Sequence, residues 1–158
     1  MKALIVIDMQ KGLMKKDIIN KETLIETINN AINIFAIEKQ LVIFFQHKNK
    51  ILAENTIEWE LDEHLHLDKN IVFQKIHGNT FQETNLDKYL KDNKVNEIIV
   101  CGLVTHGCVK ATCLGGKEKG YKVKILRNGH SSWNKDAKQK IEITEKELQE
   151  TGILPEEI

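Results

Sequence analysis

The sequence predicts an α/β protein of three layers, in which helices cover both faces of a mostly parallel, Rossmann-like sheet of five to six strands. Short, largely apolar runs alternate along the chain with segments of helical periodicity, an order typical of parallel sheets. The runs are apolar at nearly every position, as expected for strands that are covered on both faces. With 158 residues the chain is long enough for one well-packed domain, which we take to span residues 1–158.

The predicted strands are five short runs. They occupy residues 3–7, 41–45, 71–74, 97–101 and 121–126. The first run stops at Asp8 and the third is followed at once by Lys75, so charged groups stand directly after both strands. Little chain follows the last predicted helix, and we therefore expect a sixth strand to be short or missing.

Helices are predicted where apolar residues recur at spacings of three and four. Residues 22–38 place Leu24, Ile28 and Ile32 on one face of a helix. The other predicted helices are a short one, one rich in small residues and a charged one, over residues 86–90, 106–119 and 134–150. The mixed, polar residues 50–69 are expected to form a loop with a short helical turn.

Composition and charge exclude several classes of function. The 23 basic and 23 acidic side chains are scattered and give a formal net charge of zero, so there is no basic stripe for nucleic acid. The apolar runs are too short to cross a membrane, and the first one ends at an acid without a cleavage site, so we expect a cytoplasmic protein. Three irregularly spaced Cys fit neither a disulfide framework nor a zinc site, and no glycine-rich nucleotide motif occurs. We therefore expect no cofactor.

Three groups with useful chemistry stand at the carboxyl ends of predicted strands, where open parallel sheets bind their ligands. Asp8 follows the first strand and Lys75 the third. Cys108 follows the fourth, just beyond Thr105, which we expect to cap the next helix. Because the start of a helix favours an anion, we expect the pKa of Cys108 to lie below the ~8.5 of a free thiol.

An acid, an amine and a thiol that meet in one place can carry out acyl transfer. The acid can take the thiol proton and return it to a leaving group, the amine stabilises the thiolate, and backbone N–H groups can hold an oxyanion. Each group also has a plain structural interpretation, in which Cys108 is a small core residue, Asp8 caps a turn and Lys75 is a surface charge. Their convergence at one edge of the sheet favours the chemical interpretation.

Four motifs carry a resemblance to a known family. They are Leu4-Ile5-Val6-Ile7-Asp8-Met9-Gln10, Gln46-His47, Lys75 followed by Phe81 and Thr84, and Gly102-Leu103-Val104-Thr105-His106-Gly107-Cys108-Val109. In this order and spacing they resemble the isochorismatase-like cysteine hydrolases, which include nicotinamidases and related amidases. The resemblance runs from the first strand to about residue 133. It implies the isochorismatase-like hydrolase fold and a catalytic triad of Asp8, Lys75 and Cys108.

The resemblance also implies finer features of the site. A cis peptide bond is implied just before Val104, with the N–H groups of Val104 and Cys108 forming the oxyanion hole. The candidate substrate-binding residues are Gln10, His47, Trp59 and His106. Trp59 either lines the pocket or packs its loop down, and the two histidines either face the pocket or support the fold.

This chain also departs from the family's patterns. Nicotinamidases that resemble it hold a metal with an Asp-x-His pair after the second strand, whereas residues 45–49 here read Phe-Gln-His-Lys-Asn, which implies a metal-free member. Isochorismatases that cleave a vinyl ether generally lack the cysteine, so Cys108 favours amide-type substrates. The family often has an Asp where this chain has Asn128, and the role of that segment stays open.

We therefore expect a hydrolase that cleaves a carbon–nitrogen bond of a small molecule through a thioester, with no metal, nucleic-acid or membrane partner. Two alternatives stay open, an ether or ester hydrolase on the same scaffold and a non-enzymatic thiol-based sensor or binding protein. Members of the family are usually oligomeric, and the near-neutral net charge does not oppose association. A homodimer or larger homo-oligomer is therefore expected.

Overall fold

The computed structural model describes residues 1–67 and 71–158 and contains a six-stranded, all-parallel sheet. Its strands are β1 (Lys2–Ile7), β2 (Leu41–His47), β3 (Ile71–Lys75), β4 (Glu97–Leu103), β5 (Lys122–Ser131) and β6 (Leu154–Glu156). They lie side by side in the order β3-β2-β1-β4-β5-β6. The predicted fold class is confirmed, and the sixth strand, which we expected to be short or missing, is present and three residues long.

Helices are present at all four predicted places, with two differences. They are α1 (Lys11–Met14), α2 (Lys21–Ile37), α3 (Leu86–Asp92), α4 (Lys110–Glu118) and α5 (Ala137–Glu150). The four-residue α1 is too short to show a periodicity and was not predicted. The helix predicted over 106–119 divides into a π-helical turn, Thr105–Val109, and α4, because Gly107 leaves helical geometry with φ −112° and ψ −111°.

Residues 51–67 contain turns and bends but no helix, so the short helical turn predicted within residues 50–69 is absent from residues 51–67. Residues 68 and 69, at the end of that predicted loop, lie outside the described residues. Among the described residues, no helix combines the length and the apolar character needed to cross a membrane.

The sheet separates two apolar layers, and β1 contributes to both. Ala3, Ile5 and Ile7 pack on the face covered by residues of α3, α4 and α5. The alternate residues of the strand, Leu4 and Val6, pack with α2 on the other face. All five side chains are fully buried, and burial of each large one stabilises the fold by about 1.5–3 kcal/mol. Burial on both faces explains why the strand is apolar at consecutive positions.

The order of the strands places a crevice beside the end of β1. The chain moves outwards from β1 to β3 on one side and then from β4 to β6 on the other, so the direction reverses between β1 and β4. Gly102 allows these two strands to approach closely, because it has φ +112° and a Cβ there would lie 2.1 Å from the Ile7 carbonyl oxygen. Open α/β sheets bind their ligands at such a reversal, beyond the carboxyl ends of the strands.

Candidate active site

Asp8 directs a buried carboxyl group into this crevice. Its backbone has φ +55°, a left-handed conformation that Asp tolerates better than most residues and that turns the chain sharply after β1. Its N–H donates to the Phe45 carbonyl of β2, over 3.1 Å, which secures the turn. The residue is 3% exposed, and Oδ1 is buried without a hydrogen-bond partner among the described residues. One carboxylate oxygen is therefore available to accept a proton.

Lys75, at the end of β3, places its ammonium group beside Asp8. Its Nζ lies 3.1 Å from Asp8 Oδ2, 2.9 Å from His47 Nδ1 and 3.1 Å from the His77 carbonyl oxygen. The side chain is fully buried. An ammonium group has three N–H donors, and these are its three shortest contacts, with Cys108 Sγ as a fourth acceptor at 3.4 Å. No sequence pattern had indicated the backbone oxygen of His77, which the loop after β3 brings back towards the lysine.

Cys108 completes the group from the other side of the crevice. Its Sγ lies 3.4 Å from Lys75 Nζ. It is half-buried in the π-helical turn, next to the kink at Gly107. Gly78 stands against it, since a Cβ at that position would lie 3.9 Å from Sγ. The tertiary structure thus brings Asp8, Lys75 and Cys108 together, as their positions after three strands predicted.

The surroundings of Cys108 favour the neutral thiol over the expected thiolate. Burial, followed by the negative charge of Asp8, raises the pKa of Cys108 to about 11, and Lys75 only partly opposes this. The expectation of a lowered pKa was wrong because it relied on the helix start and the lysine. The thiol lies beside a kinked turn, and the charge of Lys75 is already shared with Asp8, 3.1 Å away. At neutral pH the resting nucleophile is therefore a thiol.

The other two titratable neighbours also have shifted pKa values. Burial raises the pKa of Asp8 above its ordinary value even though Lys75 pulls it down, which makes its carboxylate a better proton acceptor. Burial, and then the charge of Lys75, lowers the pKa of His47. Beside Asp8, the site at neutral pH thus contains a neutral imidazole and a neutral thiol.

Asp8, His47 and Cys108 also form a candidate set of metal ligands, since one donor atom of each lies within 4.8 Å of the others. Carboxylate, imidazole and thiolate are the ligand types that zinc prefers. The Lys75 ammonium group, however, contacts all three side chains. A positive charge in the place of the ion repels a cation, so these residues fit a metal poorly while Lys75 is charged. The metal-free site stays a prediction.

Gln10, predicted to bind substrate, has a structural role in the site, and substrate binding by it stays a prediction. Gln10 is fully buried, and its amide joins the backbones of two neighbouring segments. Nε2 donates to the carbonyl oxygens of His47 and Trp59, over 3.0 and 2.8 Å, and Oε1 accepts from the His47 N–H, over 2.9 Å. Because both amide hydrogens are engaged, Gln10 positions His47 and Trp59 and has no side-chain N–H left to donate to a substrate.

The other two substrate-binding candidates lie in different settings. The Trp59 carbonyl oxygen accepts hydrogen bonds from Gln46 and Gln10, and these bonds hold the 57–61 segment against β2. The indole Nε1 of Trp59 is buried without a partner among the described residues. His106 makes no side-chain hydrogen bond to the triad among the described residues, and its Nδ1 is buried without a partner among them. Its pKa is lowered by burial and then by Lys140, and Asp136 opposes this, so its charged neighbours belong to the start of α5.

Thr105 anchors the turn that carries Cys108, in a way that sequence reasoning missed. Its buried hydroxyl lies 2.8 Å from His130 Nδ1 and 3.3 Å from the Ser131 carbonyl oxygen, so it supports the turn sideways and does not cap it. His130 Nε2 in turn faces Glu145 Oε1 at 3.1 Å. No signal in the sequence indicates this chain of contacts, because its members come from β5 and α5.

The segment between β4 and this turn supplies the backbone groups that were expected to bind an oxyanion. The Leu103–Val104 peptide bond is cis. Among the turn, loop and cap hydrogen bonds of the described residues, none is donated by the N–H of Val104 or of Cys108. Neither N–H group therefore has a competing acceptor of that kind.

Comparisons with known proteins agree on a family. A family model described as the isochorismatase domain matches residues 2–152. The nicotinamidase of Escherichia coli (strain K12) is 46% identical over 48 residues, a match that covers 30% of this chain and 22% of that protein. The uncharacterized isochorismatase family protein YddQ of Bacillus subtilis (strain 168) is 27% identical over 148 residues, with 88% of this chain and 82% of that protein covered.

Solved structures show the same fold. The cysteine hydrolase from Pseudomonas syringae pv. phaseolicola 1448A superimposes with a TM-score of 0.91 at 22% sequence identity. The superposition covers 98% of this chain and 87% of that one. At this level of identity, the similarity establishes the architecture and leaves the reaction to be argued from the site.

Proposed function

The chain belongs to the isochorismatase family, and we propose that it is a cysteine hydrolase that cleaves the carbon–nitrogen bond of a small amide through a thioester at Cys108. The observation that carries the proposal is the position of Lys75 Nζ, 3.1 Å from Asp8 Oδ2 and 3.4 Å from Cys108 Sγ. An acid, an ammonium group and a thiol are thereby held within reach of one substrate carbonyl. The name of the nicotinamidase relative supports an amide-type substrate.

The first half of the reaction forms the thioester. Asp8 takes the thiol proton as Sγ attacks the carbonyl carbon, and the carbonyl electrons move to the oxygen. The N–H groups of Val104 and Cys108 are the proposed donors to that oxyanion. When the tetrahedral intermediate collapses, the carbon–nitrogen bond breaks and the leaving amine takes the proton from Asp8. Lys75 stabilises the negative charge while it resides on sulfur.

The second half hydrolyses the thioester. Asp8, again a carboxylate, takes a proton from water as the water oxygen attacks the thioester carbon. Collapse expels the Cys108 sulfur, which recovers its proton from Asp8, and the acid product leaves. For a primary amide the net result is one water consumed and one carboxylic acid and one ammonia released.

A resting thiol fits catalysis better than it fits redox sensing. Sensor cysteines are usually exposed and have a low pKa, so that a reactive thiolate is accessible to oxidants. The pKa of Cys108 is raised to about 11 and its side chain is half-buried. A base that acts only when substrate is bound, such as Asp8, suits this state.

The test is an assay of ammonia release from a panel of primary amides, cyclic imides and lactams, with mass spectrometry of the protein during turnover. We expect hydrolysis of at least one amide class and an acyl adduct on the peptide that contains Cys108. Cys108→Ala should abolish both, whereas Cys113→Ala, which removes a buried thiol in the core, should retain them.

A panel of esters and vinyl ethers separates the alternative from the proposal. Turnover of these substrates without any amide hydrolysis would favour the ether or ester hydrolase. Reversible oxidation of Cys108 without turnover of any substrate would favour the sensor.

A further inference from the structure

We propose that Lys75 holds His47 as a neutral imidazole with its proton on Nε2, and that this N–H donates a hydrogen bond to the substrate. The inference rests on the proposed amide hydrolysis and narrows its substrate class. The preferred amides would carry an uncharged hydrogen-bond acceptor close to the scissile carbonyl group, and cationic analogues would be rejected.

The close contact with Lys75 determines which ring nitrogen of His47 carries the proton. The ammonium group has three hydrogens, and its three shortest contacts are His47 Nδ1 at 2.9 Å, Asp8 Oδ2 at 3.1 Å and the His77 carbonyl oxygen at 3.1 Å. A hydrogen on Nδ1 would point at the ammonium group only 2.9 Å away, so that two donors would face each other without an acceptor between them. Nδ1 therefore accepts, and the proton of a neutral ring resides on Nε2.

The surroundings keep the ring neutral and fixed in place. Burial and the charge of Lys75 both lower the pKa of His47, because a second proton would place two cations 2.9 Å apart. Gln10 holds the backbone of the same residue at both its N–H and its carbonyl oxygen. The ring therefore presents one predetermined donor.

Nε2 of the same ring is exposed to solvent. It has no hydrogen-bond partner among the described residues, and it is not one of the buried polar atoms without a partner, so solvent reaches it. One of the ring nitrogens lies within 4.8 Å of Cys108 Sγ. A carbonyl carbon under attack lies about 3–3.5 Å from the sulfur, so an acceptor a few bonds from that carbon can reach the ring.

A set of isosteric amides tests the acceptor requirement. Picolinamide and nicotinamide carry a ring nitrogen near the amide, benzamide has none, and N-methylnicotinamide with a quaternary ring nitrogen is cationic. We expect one of the two pyridines to exceed benzamide in kcat/KM by about tenfold, which corresponds to one neutral hydrogen bond. The cationic amide should be the poorest substrate. Equal kcat/KM values for all four amides would overturn the proposal.

Two substitutions of His47 separate its two nitrogens. His47→Asn can keep an acceptor near Nδ1 but removes the donor at Nε2, so it should lose the preference for the pyridine. His47→Gln can keep a donor near Nε2 but removes the acceptor, so it should retain the preference with a lower kcat. His64→Asn is the matched control, because that side chain is 66% exposed and pairs with Asp62. Loss of the preference in His47→Gln with retention in His47→Asn would contradict the assignment.

Nitrogen-15 NMR of the histidine rings tests the inference without turnover. The resonances that disappear in His47→Asn should show a protonated Nε2 and an unprotonated Nδ1 from pH 6 to 8. The Nε2 resonance should shift on titration with the preferred pyridine amide and not with benzamide. An Nδ1–H tautomer or an imidazolium ion would overturn the inference even if amides are hydrolysed. The expected tautomer and shift in a protein that hydrolyses no amide would support the donor while the proposed hydrolysis fails.

Discussion

Lys75 Nζ lies 3.1 Å from Asp8 Oδ2, and the two side chains are only 0% and 4% exposed. The chain contains an exposed counterpart in Lys88 and Asp92, whose charged atoms are 2.6 Å apart and whose side chains are 76% and 61% exposed. Water screens the exposed pair, which contributes about 0–1 kcal/mol to stability at most. Because the buried pair is shielded from water, both of its charges act on the pKa of the thiol beside it. The direction in which that pKa moves when either charge is removed can therefore be predicted.

Asp8→Asn and Lys75→Met should change the reactivity of Cys108 in opposite directions. Loss of the Asp8 charge lowers the pKa of the thiol and should accelerate its alkylation by iodoacetamide at pH 8, whereas loss of the Lys75 charge should slow it. Both variants should lose at least about 100-fold in turnover, because general acid–base catalysis needs the carboxylate and the thiolate needs its cation. Asp92→Asn and Lys88→Met are the matched controls. Slower alkylation in both site variants would contradict this electrostatic account.

Cys108 should be the cysteine that reacts first, and its reactivity should rise with pH. Cys101 and Cys113 are fully buried, and burial raises the pKa of Cys113 to about 12 and that of Cys101 further. Because the pKa of Cys108 is about 11, its thiolate fraction should increase about tenfold for each pH unit between pH 7 and 9. Peptide mapping after brief alkylation measures both effects. An alkylation rate that no longer increases with pH above pH 7 would show that the pKa of Cys108 lies far below 11.

Activity should not depend on an added metal. Lys75 supplies a positive charge where an ion bound by Asp8, His47 and Cys108 would lie. Dialysis against a chelator should therefore leave the rate unchanged, and zinc should not increase it. Loss of activity that zinc, iron or manganese restores would refute the prediction. Tight zinc binding by Lys75→Met but not by the unaltered protein would show that the lysine occupies the place of the ion.

The protein should form at least a homodimer. A formal net charge of zero offers no repulsion between copies, and Ile51, Ile57 and Ile76 are large apolar side chains exposed on the surface of the chain. Light scattering coupled to size-exclusion chromatography measures the mass directly. A single species of 18.2 kDa at the concentrations of the assay would exclude the dimer.

Gly102→Ala should destabilise the protein much more than Gly120→Ala. Both glycines have a positive φ, +112° and +94°, so both substitutions add backbone strain of about 1–2 kcal/mol. A Cβ at Gly102 would also lie 2.1 Å from the Ile7 carbonyl oxygen, whereas Gly120 has open space. We expect a loss of more than about 3 kcal/mol in the free energy of unfolding for Gly102→Ala, measured by urea denaturation. Similar losses for both variants would show that β1 and β4 can move apart.

The sequence alone was sufficient to predict the sheet, its buried strands and the three groups at their ends. These predictions succeed because periodicity and the alternation of strands with helices are properties of short segments, and each buried strand shows its burial in its own composition. Asp8, Lys75 and Cys108 each stand at or beyond the carboxyl end of a predicted strand, so their shared edge follows from the topology.

Only the tertiary structure decided how these groups act on one another. The raised pKa of Cys108, the engaged amide of Gln10 and the bond from Lys75 to His47 depend on burial and on distances between residues far apart in the chain. The contact between Thr105 and His130 likewise joins residues that are far apart in the chain. Burial and charge act through space, and neither leaves a pattern in neighbouring residues, so the ionisation state of the site could not be predicted from the sequence.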